Sequence, residues 1–360
     1  MADSERVTKH HALFVTVPFQ GHFTPAANFA VKLAARGFIV TFVTTEAFHH
    51  QRAASGAVSV DGHEVFVDAR SMGMDIHSEL VSDGLPVSFD RALHRDQFFD
   101  AFYHLLPSHV EELMRKLLLA EPPIDVLISD TFNVWPSTLA KKFGLPYVSF
   151  WTEPALVFAI YYHVHLLVEK GHFGSPTGCK RDMAEIAYGV LGSKSSFIWV
   201  LRPGSGSSEA NPLPEGFIEA CKGRGVVVPW CCQKQVLRHP AVGGFLTHCG
   251  WNSILESMWC GVPMLCFPVT ADQPTNRKLV VEDLRIGIDV GSVGEVSGAE
   301  VSRRIDRLMG GEVGGALRKE MEGTQKAVKS AVTPTGSSSK NMEQFTADLL
   351  KHLSEKKREQ

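Results

Sequence analysis

The chain has 360 residues, a hydrophobic fraction of 44% and a formal net charge of -3. That length suits two domains, each burying its own core, and the mild acidity gives nucleic acid or an anionic membrane no electrostatic footing as a partner. No apolar run reaches the ~18 residues of a membrane span, and the opening MADSERVTKHH lacks the apolar stretch of a signal peptide, which points to the cytoplasm.

Ala12 to Val17 is strongly apolar with little alternation, as a parallel strand buried on both faces should be. Pro18 to Pro25 (PFQGHFTP) reads as a loop, and Ala26 to Arg36 as an Ala-rich helix stopped near Gly37. Phe38 to Thr44 is predicted as a second strand, and Glu64 to Asp68 as a weaker third. Ser88 to Leu118 reads as helical with a break near Pro107, and Val126–Ser129 and Tyr147–Phe150 as two further strands. Strands alternating with helices imply a parallel, doubly wound sheet. His22, Asp130 and Thr152 each sit just past a strand's carboxyl end, where such a sheet brings ligands and functional groups together. Asp130 reads equally well as the N-cap of a helix over Thr131–Ala140. Most of the 16 His must be surface or packing residues; position singles out His22.

In the second half, Pro203 to Ser208 reads as a flexible loop with no GxSxG elbow. Val226–Val228 and Gly244–Thr247 are short apolar strands. After the latter, His248 to Trp251 turns the chain, and Asn252-Ser253 opens a helix to about Cys260 that Gly261 ends. The first turn of a helix offers free amides and the positive end of its dipole, a site for a diphosphate. His248, Asn252 and Ser253 add side-chain donors there, and Glu256 one turn on is placed to accept from ribose hydroxyls. The plainer reading makes Asn252 or Ser253 an N-cap and Glu256 a solvated helix residue. Trp230 follows Val226–Val228 through Pro229, where it either stacks on a base or covers the rim of the core. Val301–Met309, Leu317–Ser330 and Lys340–Leu353 read as helices, with Lys356-Lys357-Arg358 a solvated end. Of the seven Cys, six fall between Cys221 and Cys266. They read as reduced, buried small residues, because the Cys231, Cys232, His239, His248, Cys249 set has no recognised zinc spacing.

The whole run from Trp230 to Gln273, WCCQKQVLRHPAVGGFLTHCGWNSILESMWCGVPMLCFPVTADQ, closely resembles the signature box of plant UDP-dependent secondary-product glycosyltransferases. The QGHFTP, SDTFNVW and FWTEP segments are similar to that family's catalytic loop, its partner-Asp segment and a donor-sugar contact. The resemblance implies an α/β, GT-B architecture: two Rossmann-like doubly wound domains facing across a cleft. Residues 1–178 would bind acceptor, 179–340 would bind UDP-sugar, and 341–360 would form a C-terminal helix and tail. It implies His22 as general base and Asp130 as the acid that orients it. Thr152 would touch the donor sugar, Trp230 would stack on uracil, and the Cys231 backbone would read the base edge. Gln233 and Glu256 would hold the ribose; His248, Asn252 and Ser253, in the turn that contains Gly250, the phosphates; Trp251, Asp272 and Gln273 the sugar hydroxyls. A Gln at position 273 favours glucose. The implied reaction is inverting transfer from a UDP-sugar to a hydroxyl of a small apolar acceptor, by a monomer. No clustered Asp pair stands where a metal would bridge phosphates, so no metal cofactor is expected. Phe89, Phe98, Phe99, Phe102 and Tyr103 either line the acceptor pocket or are core.

The resemblance jumps around Ser175–Cys179. Asp182–Ser193 and Phe197–Arg202 already match the first helix and second strand of the family's C-terminal domain, so ~100 residues, about a small domain's worth, are missing. The second domain is therefore expected to lack its first, central strand, leaving Phe197–Leu201 and Gly244–Thr247 without a shared neighbour. A shortened, impaired or vestigial nucleotide-sugar-binding protein is the alternative this raises. A dinucleotide-dependent oxidoreductase fits the alternation but not the missing GxGxxG after the first strand.

Overall fold

The computed structural model describes residues 9–54, 65–170, 180–201, 213–291 and 294–359. Two compact units make up the chain: unit 1 is residues 1–152 with 340–360, and unit 2 is residues 153–339. This division falls at Thr152, earlier than the boundary at 178 implied by the resemblance, and it groups the last helix with unit 1.

Unit 1 is built on β1 (His11–Val15), β2 (Ile39–Thr45), β3 (Ile76–Val81), β4 (Val126–Asp130) and β5 (Tyr147–Phe150). All pairings are parallel, in the order β3-β2-β1-β4-β5. The unbroken apolar run of β1 has a simple cause. Ala12 and Phe14 point into one core cluster, with Phe23, Phe42 and Ile128. Leu13 and Val15 point into the opposite one, with Phe102, Val110 and Leu127. Both faces are dry, so every β1 residue is buried and alternation vanishes. The Ser337–Glu359 helix lays Met342, Leu349 and Leu353 on the first of these clusters, and Phe345 reaches Phe29 at 5.6 Å between ring centroids.

Three expectations about local structure fail here. The third strand is Ile76–Val81 rather than Glu64–Asp68: Glu64 lies outside the described residues, and Val67–Ser71 is a short helix. As an edge strand, IHSELV buries only its ends and carries His77, Ser78 and Glu79 between them, so it lacks the apolar density by which a strand is recognised. The first helix starts at Gln20, with Pro25 inside it, so His22 sits in a helical first turn and not a loop. Proline removes one intrahelical donor near the end, a loss the helix tolerates. The helix after β4 starts only at Pro136, so Asp130 does not cap it. The helical stretch at 88–118 breaks as expected, into Arg95–His104 and Leu106–Leu117 with Pro107 in the first turn of the second.

Unit 2 carries β6 (Phe197–Val200), β7 (Gly225–Val228), β8 (Phe245–Thr247), β9 (Met264–Cys266) and β10 (Gly287–Asp289). β6 and β7 form a two-stranded parallel sheet, and β10-β9-β8 a separate parallel sheet of three. The break between β6 and β8 falls where the sequence anticipated a missing central strand. One helix layer still spans both sheets. Ile186 and Val190 of the Lys180–Gly192 helix and Val301, Ile305 and Leu308 of the Gly298–Met309 helix share a cluster with Phe197, Trp199, Leu246, Leu265 and Ile288. These two helices approach closely at Gly189, where an added Cβ would lie 2.3 Å from the Val301 Cβ. Asp182 accepts from the Gly294 amide, and Glu185 accepts from the Gly298 amide at 2.7 Å, tying the pair further. The Pro203–Ser208 loop and the Ser175–Cys179 junction lie outside the described residues. Among the described residues, no helix is long and apolar enough to cross a membrane.

Candidate functional site

In unit 1 the strand order reverses between β1 and β4, and ligand crevices of open α/β sheets form at such a reversal. The first helix leaves β1 there and carries His22, while β4 ends on Asp130. His22 Nδ1 lies 2.8 Å from Asp130 Oδ2. The carboxylate accepts, so Nδ1 bears the proton and Nε2 presents its lone pair outward, the tautomer a general base needs. Asp130 is fully buried, and its other oxygen, Oδ1, accepts the Phe132 amide at 2.9 Å. Both carboxylate oxygens are thus engaged, as a buried charge requires. The surrounding scaffold is stitched across the reversal. Ser129 Oγ donates to the Val15 carbonyl of β1 at 3.1 Å and accepts from Asn133 Nδ2 at 3.0 Å.

Thr152 follows β5 by two residues and is buried. Its Oγ1 lies 3.1 Å from His22 Nδ1, so it is a second acceptor for the same proton. The resemblance implies a donor-sugar contact for Thr152; the fold places its hydroxyl beside the His22 imidazole. Aromatic rings surround the pair: Phe132 meets the imidazole edge-on at 4.9 Å and 75°, and Phe19 lies 6.3 Å away. Phe98 and Phe102 are buried in the core under this site, while Tyr103 is exposed.

In unit 2 the Trp251–Cys260 helix opens after the turn that follows β8. Its N-cap is Gly250, in extended backbone and with no side-chain cap, two residues before Asn252 and three before Ser253. That leaves Trp251, Asn252 and Ser253 as the first three helical residues, whose amides have no intrahelical acceptor. Gly250 lies under the His248 ring: a Cβ there would lie 2.4 Å from His248 Nε2, so a side chain at this position would displace the imidazole. Cys249, between them, is held at φ 66, a left-handed conformation rarely taken by a residue with a side chain. Asn276 Nδ2 donates to the Cys249 carbonyl at 3.0 Å and also to the Asp272 carboxylate, so Asp272 is coupled to the same turn. Gly261 ends the helix in the left-handed conformation, as expected.

Gln233 opens a short helix after β7 and bridges to the longer one. Its Nε2 donates to Glu256 Oε2 at 2.9 Å and to Ser253 Oγ at 3.2 Å. Three predicted ligand residues are therefore one hydrogen-bonded group. Trp230, just past β7, is 42% exposed, which suits a stacking platform. Trp251 packs in part against the core cluster around Ile254 and Met264. Gln273 turns its Oε1 onto the Val269 and Thr270 amides at 2.8 and 3.0 Å, stapling the loop that precedes it. Burial raises the Cys231 and Cys260 thiols above their ordinary range, and the hydrogen bond that the Cys266 thiol makes to Cys249, reinforced by burial, raises Cys266 strongly. Protonated thiols are poor metal ligands and nucleophiles. Among the described residues, no group of three or more His, Cys, Asp or Glu converges to hold a metal ion. Phe132 and Asn276 went unnoticed in the sequence: neither residue type advertises a site, and both act through contacts that only the fold creates.

Comparison with known proteins adds three findings. A family model described as UDP-glucoronosyl and UDP-glucosyl transferase matches residues 179–311. UDP-glycosyltransferase 86A1 of Arabidopsis thaliana is 36% identical over 472 aligned positions, covering 97% of this chain and 96% of that protein. The alignment is longer than the chain's own 360 residues, so over a hundred of its positions face no residue here. Among solved structures, Os79 from O. sativa in complex with U2F and trichothecene is similar at a TM-score of 0.78 and 22% identity, covering 94% of this chain and 99% of that one. Medicago truncatula UGT71G1 complexed with UDP-glucose is similar at a TM-score of 0.73 and 19% identity, covering 94% and 98%. At these identities the structural likeness speaks to fold alone.

Proposed function

This chain belongs to the plant UDP-glycosyltransferase family, and from that premise we propose that it transfers glucose from UDP-glucose, with inversion, to a hydroxyl of a small apolar acceptor. The observation that carries the reading is the His22 Nδ1–Asp130 Oδ2 contact of 2.8 Å on a fully buried carboxylate. Nε2 of His22 takes the acceptor's proton as the oxygen attacks the anomeric carbon. The bond from that carbon to the diphosphate oxygen breaks, and its electron pair leaves with UDP through an oxocarbenium-like transition state. Asp130 stabilises the imidazolium that results. In unit 2, the first-turn amides after Gly250, with His248, Asn252 and Ser253, take up the charge growing on the diphosphate. Gln233 and Glu256 hold the ribose, Trp230 stacks on uracil beside the Cys231 backbone, and Trp251, Asp272 and Gln273, with Thr152, contact the sugar. The Gln at position 273 and the UDP-glucose bound to the Medicago relative favour glucose. No metal takes part, and the protein works as a cytoplasmic monomer.

The experiment is His22→Ala, assayed by radiolabelled transfer from UDP-glucose to a panel of small hydroxylated aglycones and by calorimetry with UDP. Turnover should fall by roughly 10²–10⁴-fold with UDP affinity within twofold of wild type. Wild-type turnover in the variant sinks the assignment.

A further inference from the structure

We infer that Phe132 is a positioning residue for His22, holding the imidazole to the carboxylate and away from the competing hydroxyl of Thr152. The inference rests on the reading of His22 as the base. Two oxygens compete for the Nδ1 proton: Asp130 Oδ2 at 2.8 Å and Thr152 Oγ1 at 3.1 Å. Only the carboxylate carries the charge that stabilises an imidazolium. A small rotation of the ring about its Cβ–Cγ bond exchanges one partner for the other, and such terminal torsions are soft.

Phe132 acts on both ends of that choice. Its backbone amide donates to Asp130 Oδ1 at 2.9 Å, which stops the carboxylate from turning its second oxygen toward the base. Its ring meets the imidazole edge-on at 4.9 Å and 75°, the geometry aromatic pairs prefer. The ring is braced in turn by Trp151, stacked at 6.1 Å and 20°, next in sequence to Thr152. Yet Phe132 is 37% exposed, unlike the phenylalanines of the core beneath it. A ring that open contributes less burial than those core phenylalanines, so its contacts bear more on orientation than theirs do.

The test uses Phe132→Ala, with Phe132→Tyr as the conservative control, in the full chain. The first readout needs no turnover: the downfield imidazole N–H proton of His22, assigned by its loss in His22→Ala. It should shift or broaden away in Phe132→Ala, persist in Phe132→Tyr, and return in Phe132→Ala combined with Thr152→Val, where the competing hydroxyl is gone. The second is acceptor-free hydrolysis of UDP-glucose. In Phe132→Ala, kcat should fall by about ten- to a hundredfold, the scale of a slightly misplaced reacting group. KM for UDP-glucose should stay within twofold, and Phe132→Tyr should restore kcat. An unchanged resonance in Phe132→Ala, wild-type kcat in that variant, or a Tyr variant as weak as Ala overturns the positioning role. A wild type that transfers glucose to none of the hydroxylated aglycones while its resonance behaves as described overturns the transferase reading and leaves the positioning role intact.

Discussion

In unit 1 the opening strand β1 is paired on both sides and buried along its whole length; in unit 2, among the described residues, no strand joins β6 to β8. The two plans otherwise correspond. β6 and β7 match β2 and β3, and β8 and β9 match β4 and β5, with β10 added at the edge. Apolar side chains of the two-stranded sheet are also less covered than those of unit 1. Ile198 of β6 and Val226 of β7 are 54% and 58% exposed, whereas Phe42 and Val43 of β2 are buried. A central strand supplies two ladders, each bond worth about 1 kcal/mol net, and covers apolar side chains on both faces. Unit 2 leans instead on its helix layer, where the Lys180–Gly192 and Gly298–Met309 helices carry one core across both sheets. The His22–Asp130 pair proposed as catalytic stands on the complete sheet, and the residues proposed to bind the nucleotide stand around the divided one.

That contrast is open to measurement. Phe14→Ala, in the sheet centre of unit 1, should cost about 3–5 kcal/mol, read as faster hydrogen exchange across β1, β2 and β4. Gly189→Ala should cost unit 2 about 1–3 kcal/mol through overpacking against Val301, read as exchange in β6 and β8 together. Exchange rising in only one of these strands means the helix layer does not join the sheets. Gln233→Ala should weaken UDP binding about tenfold, the loss of one charge-assisted contact and its geometry, by calorimetry; unchanged affinity separates the Gln233–Glu256–Ser253 group from the nucleotide. Ile198→Ala should move stability by no more than about 0.5 kcal/mol, as an exposed site does. A loss above about 2 kcal/mol means that face is covered and the comparison fails. Smallest of all, EDTA should leave turnover unchanged under the proposal that amides and side chains alone meet the diphosphate; loss of activity restored by a divalent ion rejects that.

Legibility in the sequence followed burial. β1 and β4 were readable because residues dry on both faces give dense apolar runs, and the break between β6 and β8 was readable because a match to a known pattern skipped a strand. β3 was not, since its edge position lets His77 and Glu79 stand inside the strand. The start of the first helix hid behind Pro25, and Asp130 passed for a helix cap because an Asp after a strand serves caps and turns alike. His22, Asp130 and Gln233 were visible as residues. The sharing of one proton between Asp130 and Thr152, the brace of Phe132 and the tie from Asn276 to Cys249 were not, because each joins positions that only folding makes adjacent.

The Ser337–Glu359 helix completes the core of unit 1 from the far end of the chain. On a ribosome, β1 to β5 emerge first, yet the surface under Phe29 and Phe150 waits for Met342, Phe345 and Leu349, which are synthesised after everything in between. The nascent first unit therefore spends most of translation with an apolar flank uncovered, a window in which chaperones or premature association compete for it.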